Sequence, residues 1–114
     1  KIAYVNYCGL PGDKYHAVAE KYLPNGSCGV VSFGVKGGRE AAAAFMGHLK
    51  IAAIETHVAD ARTCCLHPAS STHRQMNDEQ LIAAGVQPDL VRMSCGLEDK
   101  NDLIHDIAQA LDQI

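Results

Sequence analysis

The chain has 114 residues and a formal charge of −3, enough for one hydrophobic core and too short for two. With 47% hydrophobic and 20% charged residues it reads as globular, and four tyrosines and two phenylalanines leave the core to aliphatic side chains. No lysine or arginine cluster marks a nucleic-acid surface, and apolar runs as short as residues 51–54 exclude a spanning helix and a membrane partner.

Five cysteines (Cys8, Cys28, Cys64, Cys65 and Cys95), odd in number and without a CxxC pair, predict reduced thiols and a cytoplasmic location. Lys1-Ile2-Ala3 opens directly into a strand pattern without an initiator methionine, so the chain is expected to begin within a longer protein.

Residues 2–7 predict a strand, followed by the turn cluster Gly9-Leu10-Pro11-Gly12-Asp13. Tyr15, Val18, Ala19 and Tyr22 fall at i, i+3, i+4 and i+7 and predict a helix with these residues on one face, stopped by Pro24-Asn25-Gly26. Residues 29–35 predict a strand with Val31, Phe33 and Val35 on one face and the small-sided Val30, Ser32 and Gly34 on the other. Lys36-Gly37-Gly38-Arg39-Glu40 leads into a helix with Ala42, Phe45, Met46 and Leu49 in register. A glycine pair before a helix could cradle a phosphate, but no GxGxxG or GxxxxGK pattern accompanies it, and a glycine turn suffices.

Residues 51–58 and 63–67 predict two more strands around Ala59-Asp60-Ala61. The hydroxyl-rich loop Pro68-Ala69-Ser70-Ser71-Thr72-His73 follows, and Asn77 is placed to cap a short helix that Gly85 ends. Residues 90–95 predict the last strand. The closing helix, with Asp99 or Asn101 near its start, is expected to bury Leu103, Ile104, Ile107, Leu111 and Ile114. This order predicts an α/β sandwich of four to five strands with helices on one face, a single domain over residues 1–114. The other sheet face is expected to meet a domain, a subunit or a ligand, because a large bare face is rare.

Arg92 stands out on the last strand. Alternation puts Val91, Met93 and Cys95 on an apolar face and Leu90, Arg92 and Ser94 on the other. A guanidinium on a sheet, permanently charged and presenting a planar fork of donors, suits a carboxylate or phosphate; a surface arginine or a structural ion pair is the plainer alternative. Thr56-His57, near Asp60, could supply a proton shuttle or a donor to an anion. Cys64-Cys65-x-His67 with His73 offers zinc-type ligands, although the adjacent Cys64 and Cys65 point to opposite faces, so at most one could join His67, and four convergent ligands are not evident. The hydroxyl loop is otherwise a hydrogen-bonded turn.

Taken together, His67-Pro68-Ala69-Ser70-Ser71-Thr72-His73, Ala84-Gly85-Val86, the run from Leu90 to Asp99, and Asp102-Leu103-Ile104-x-Asp106-Ile107-x-x-Ala110-Leu111 are more specific than any part. They resemble the C-terminal end of the cysteine/methionine metabolism family of pyridoxal phosphate enzymes, which includes cystathionine synthases and lyases, methionine lyases and O-acetylhomoserine sulfhydrylases. Asn6-Tyr7-x-Gly9-Leu10-Pro11, Lys21-Tyr22-Leu23-Pro24 and Ser32-Phe33-x-Val35-Lys36-Gly37-Gly38-Arg39-Glu40-Ala41-Ala42 look most like the sulfhydrylase branch.

The resemblance implies a two-layer α+β sandwich with a mostly antiparallel sheet, the C-terminal domain of a fold-type I enzyme. It implies that Arg92 binds the substrate α-carboxylate and that Thr56 and His57 line the substrate site. It also implies a pyridoxal phosphate-dependent transferase of methionine biosynthesis that converts O-acetyl-L-homoserine and sulfide or a thiol to homocysteine or methionine. The cofactor and its imine lysine would lie in a large domain absent from this chain. The fragment is then expected to carry no catalytic, cofactor-binding or metal residue, to be inactive alone, and to act with its own large domain in a homotetramer. A cystathionine synthase or lyase or a methionine lyase is the alternative within the family; a free-standing binding module with the Cys65, His67 and His73 metal site is the alternative outside it.

Overall fold

A computed structural model describes residues 1–114. The chain runs β1 (Ile2–Asn6), α1 (His16–Tyr22), β2 (Val30–Val35), α2 (Gly38–His48), β3 (Ala53–Ile54), β4 (Cys64–Leu66), a 3₁₀ turn (Pro68–Ser70), α3 (Asp78–Ala83), β5 (Leu90–Ser94) and α4 (Lys100–Asp112). The five strands form one sheet in the order β1-β2-β5-β4-β3, antiparallel throughout except for the β3–β4 pair. The alternation of strands and helices read from the sequence is the observed one, and β5, which carries Arg92, is the central strand.

Strand alternation sorts the two faces. Phe33, Val35, Val91, Met93 and Cys65 point into the core, where they meet Ala42, Phe45 and Met46 of α2 and Ala110 of α4. Phe33 and Phe45 pack edge to face, with ring centroids 5.7 Å apart and planes at 84°. Phe45 is fully buried, a contribution of about 1.5–3 kcal/mol by area alone. Helix termini follow the local chemistry. Asn77 Oδ1 accepts from the Gln80 N–H at 2.9 Å and the Gln80 side chain accepts from the Asn77 N–H at 3.0 Å, a reciprocal capping box on α3. Asp99 caps α4 through the Asn101 N–H at 2.8 Å.

Four expectations change. The strands read over residues 51–58 and 63–67 shrink to Ala53–Ile54 and Cys64–Leu66, because two side chains divert the flanking backbone. Buried Asp106 accepts the N–H groups of Lys50, Ile51 and Ala52 at 2.8, 2.9 and 3.1 Å, and Ser94 Oγ accepts the Ala59 N–H at 3.0 Å. Second, Cys95 lies on the apolar side, lining a hollow with Val5, Val31 and Ile104, but is exposed rather than buried. The ladder stops at Ser94, and the chain turns at Gly96 so close to the backbone of Ala61, Arg62 and Thr63 that a Cβ there would collide with it.

Third, α1 buries only Ala19; Tyr15, Val18 and Tyr22 of the same face are 58%, 54% and 68% exposed. Fourth, Ile104 lies on the α4 stripe but stands over an apolar hollow beside Val5, Leu10 and Val31 and is 63% exposed. Asp106 of the same helix, outside that stripe, is buried instead.

Candidate functional site

The sheet face away from α2 and α4 holds a concavity of 550 Å³. Register explains its floor. Asn6 pairs with Ser32, Ser32 with Arg92 and Arg92 with Leu66, so one row crosses four strands with Arg92 at its middle. Thr56, Pro68, Thr72 and His73 form the rim.

Arg92 is anchored from one side. Its Nη2 donates to the Thr56 carbonyl at 2.7 Å and to the His57 carbonyl at 3.4 Å. Its Nε is buried and has no partner, and no carboxylate of the chain forms an ion pair with the guanidinium. A buried donor without an acceptor costs about 1–3 kcal/mol, so the head is held rigid with hydrogen-bonding capacity unspent. Such a cation over a row of small polar groups can take a carboxylate in charge-assisted hydrogen bonds.

The rim is positioned by a residue that sequence reading did not assign. Arg39, at the start of α2, donates from Nε and Nη2 to Asp78 Oδ1 at 2.9 and 2.7 Å, from Nη1 to the Ala69 carbonyl at 2.5 Å and from Nη2 to the Met76 carbonyl at 3.0 Å. It spans the loop that carries Thr72 and His73, whose side chains meet at 2.9 Å. The acidic start of α3 opposite an arginine was the available signal, but only tertiary folding brings them together. Asn6, Ser32 and Thr72 were likewise not assigned, and His73 only to the alternative metal trio, because their shared concavity depends on tertiary contacts.

Of the expected site residues, Thr56 lies on the concavity with Arg92. The His57 ring turns to Glu55, with Nδ1 to Oε2 at 2.8 Å, and this hydrogen bond raises the imidazole above its ordinary value; His57 meets Arg92 through its backbone carbonyl. The alternative metal trio does not converge. Cys65 belongs to the core under the helices. His67 uses both ring nitrogens, at 2.8 Å to Ser70 Oγ and 2.8 Å to the Pro88 carbonyl, and burial pushes its imidazole down. His73 stands on the open concavity. The Gly37-Gly38 pair is a turn with both residues at positive φ, 110° and 75°.

The family described as Cys/Met metabolism PLP-dependent enzyme matches residues 1–112. The chain is 44% identical over 111 residues to an O-acetyl-L-homoserine sulfhydrylase of Thermus thermophilus, covering 97% of this chain and 26% of that protein. It is 44% identical over 112 residues to a homocysteine synthase of Schizosaccharomyces pombe, covering 98% and 26%. Among solved structures it superposes with a TM-score of 0.85 on a Campylobacter jejuni protein described as an O-acetylhomoserine (thiol)-lyase, at 35% identity over 97% of this chain and 26% of that one. That structure carries N′-pyridoxyl-lysine-5′-monophosphate. A cystathione gamma lyase of Micromonospora echinospora also gives a TM-score of 0.85, at 29% identity over 97% and 29%. The chain thus spans about a quarter of the length of the relatives it matches.

Proposed function

Because this chain belongs to the Cys/Met metabolism PLP-dependent enzyme family, we propose that residues 1–114 are the C-terminal substrate-binding domain of an O-acetylhomoserine sulfhydrylase. The whole enzyme, in this reading, joins sulfide or a thiol to the four-carbon skeleton of O-acetyl-L-homoserine, releasing acetate and giving homocysteine or methionine. It works in the cytoplasm as a homotetramer, with this domain packed on its own large domain. The observation that carries the reading is Arg92, whose buried Nε has no partner on the floor of a concavity roomy enough for an amino acid.

Arg92 receives the substrate α-carboxylate and thereby fixes the amino acid for chemistry performed elsewhere. Thr56 and His57 belong to the same substrate wall and act through the carbonyls that hold the guanidinium. The residues of this chain fit that carboxylate and not the cofactor's imine: none of the six lysines lines the concavity. Pyridoxal phosphate, which the family uses, is therefore assigned to the large domain, and no step through it is derived for these residues.

Replacing Arg92 by Lys in the full-length enzyme removes the fork and keeps the charge. KM for O-acetyl-L-homoserine is expected to rise about 10-fold to 100-fold, equivalent to one charge-assisted hydrogen bond or more. A near-normal KM in steady-state kinetics overturns the role.

A further inference from the structure

A second cluster lies on the edge of the same wall. Glu55, His57 and Cys64 bring a carboxylate oxygen, an imidazole nitrogen and a sulfur within 4.8 Å of one another. His57 Nδ1 is 2.8 Å and Cys64 Sγ is 3.8 Å from Glu55 Oε2. The backbone explains the meeting. Glu55 and His57 are two residues apart on an extended segment and so share a side, while the parallel β3–β4 register, Ala53 with Cys64 and Ile54 with Cys65, continues through the Glu55 N–H to the Cys65 carbonyl at 3.0 Å. Thr56, between them, lines the Arg92 concavity.

We propose that Glu55, His57 and Cys64 form a binding site for a borderline-soft divalent transition-metal ion of the zinc type, with water in the fourth position. The donor set is mixed sulfur, nitrogen and oxygen, which suits zinc and not magnesium or calcium. Tetrahedral zinc with bonds of about 2.0 Å to N or O and about 2.3 Å to S separates its ligands by roughly 3.2–3.6 Å. The sulfur–oxygen separation already matches closely, His57 and Glu55 need to part by a few tenths of an ångström, and the nitrogen–sulfur gap, the widest of the three at up to 4.8 Å, has to close by a turn of the His57 side chain. Both movements are available, since the His57 and Glu55 side chains are 65% and 41% exposed. The immobile member is Cys64, buried at the start of β4. On binding, the thiol proton leaves to solvent as the metal–sulfur bond forms, and the Nδ1–H that donates to Glu55 loses its proton to solvent, leaving the imidazole protonated at Nε2 and the Nδ1 lone pair free for the ion.

The test is made on the full-length holoenzyme, freed of metal and titrated with zinc chloride and, separately, cobalt chloride. The wild type is expected to retain one zinc per chain after dialysis and, with cobalt, to show a thiolate-to-metal charge-transfer band. Cys64→Ser is expected to lose both. Because a buried substitution can disturb folding, the more exposed Glu55→Gln is measured beside it; it is expected to weaken zinc binding by more than the about 10-fold to 100-fold of an outer-shell change. Cys95→Ser, an exposed thiol outside the cluster, should bind as the wild type does. A wild type that retains no zinc, or Glu55→Gln binding zinc unchanged, overturns the site. These readouts are independent of the Arg92 kinetics, so either reading can fail alone.

Discussion

Arg92 could be singled out from alternation along one strand, since a charged side chain on a half-apolar run has to face something other than core. Its brace could not. The carbonyls of Thr56 and His57 reach it from a segment 35 and 36 residues away, and backbone acceptors have no residue-type signature. Ala59 is a second case, a non-glycine residue at φ 60°, where an L side chain crowds its own carbonyl. Its N–H is held by Ser94 Oγ at 3.0 Å, a bond glycine would keep. Ala59→Gly is therefore expected to stabilise the protein by about 0.5–1 kcal/mol, the relieved strain exceeding the added freedom of the unfolded chain. The check is a higher urea midpoint at unchanged slope; a lower midpoint would show the backbone there to be unstrained.

Helix α4 joins the helical layer to the segment leading into β3. Asp106 does this by accepting three consecutive N–H groups from residues 50–52, with Gln109 Nε2 adding a fourth contact at 3.1 Å. Burial would raise its carboxyl, but these backbone donors and Gln109 outweigh burial and hold it below the usual carboxylate range. Asp106→Asn keeps the shape, loses the charge and turns an NH₂ toward backbone donors. It is expected to cost about 2–3 kcal/mol in urea unfolding, whereas the exposed Asp112→Asn on the same helix should cost little. Helical periodicity placed α4, yet it gave no sign that Asp106 would be buried. Nothing in a 3.6-residue repeat distinguishes a carboxylate facing water from one facing another loop's amides. For α1 the periodicity was sound, yet only Ala19 is buried, since a stripe is covered only where a second surface exists.

For the molecule as a whole, the buried ionisable groups define a pH window. His67 has its folded value lowered by burial from 6.5, so the unfolded chain takes up a proton first. The stability it contributes is complete above pH 6.5 and is lost as pH falls below that value. Glu98, lowered from 4.5 by accepting the Thr63 N–H and hydroxyl at 2.8 and 2.7 Å, and Asp106, lowered from 3.8, add a second loss at more acid pH. At the alkaline end burial holds the Cys65 thiol at about 12, against an ordinary 9.0, so stability declines as pH rises past 9.0. Urea unfolding across pH should show a plateau between these limits, with the first acid step removed in a His67→Gln variant; a flat profile through pH 6.5 would contradict the His67 assignment. The sequence by itself determined the succession of strands and helices, the two faces of β2 and β5 and the family, because side-chain alternation, helical periodicity and short motifs are local properties of the chain. Folding in three dimensions decided the strand order, the parallel β3–β4 pair, the row through Asn6, Ser32, Arg92 and Leu66, and the Arg39 and Asp106 clamps. Those depend on register and on contacts between residues far apart in the chain, which no local pattern encodes.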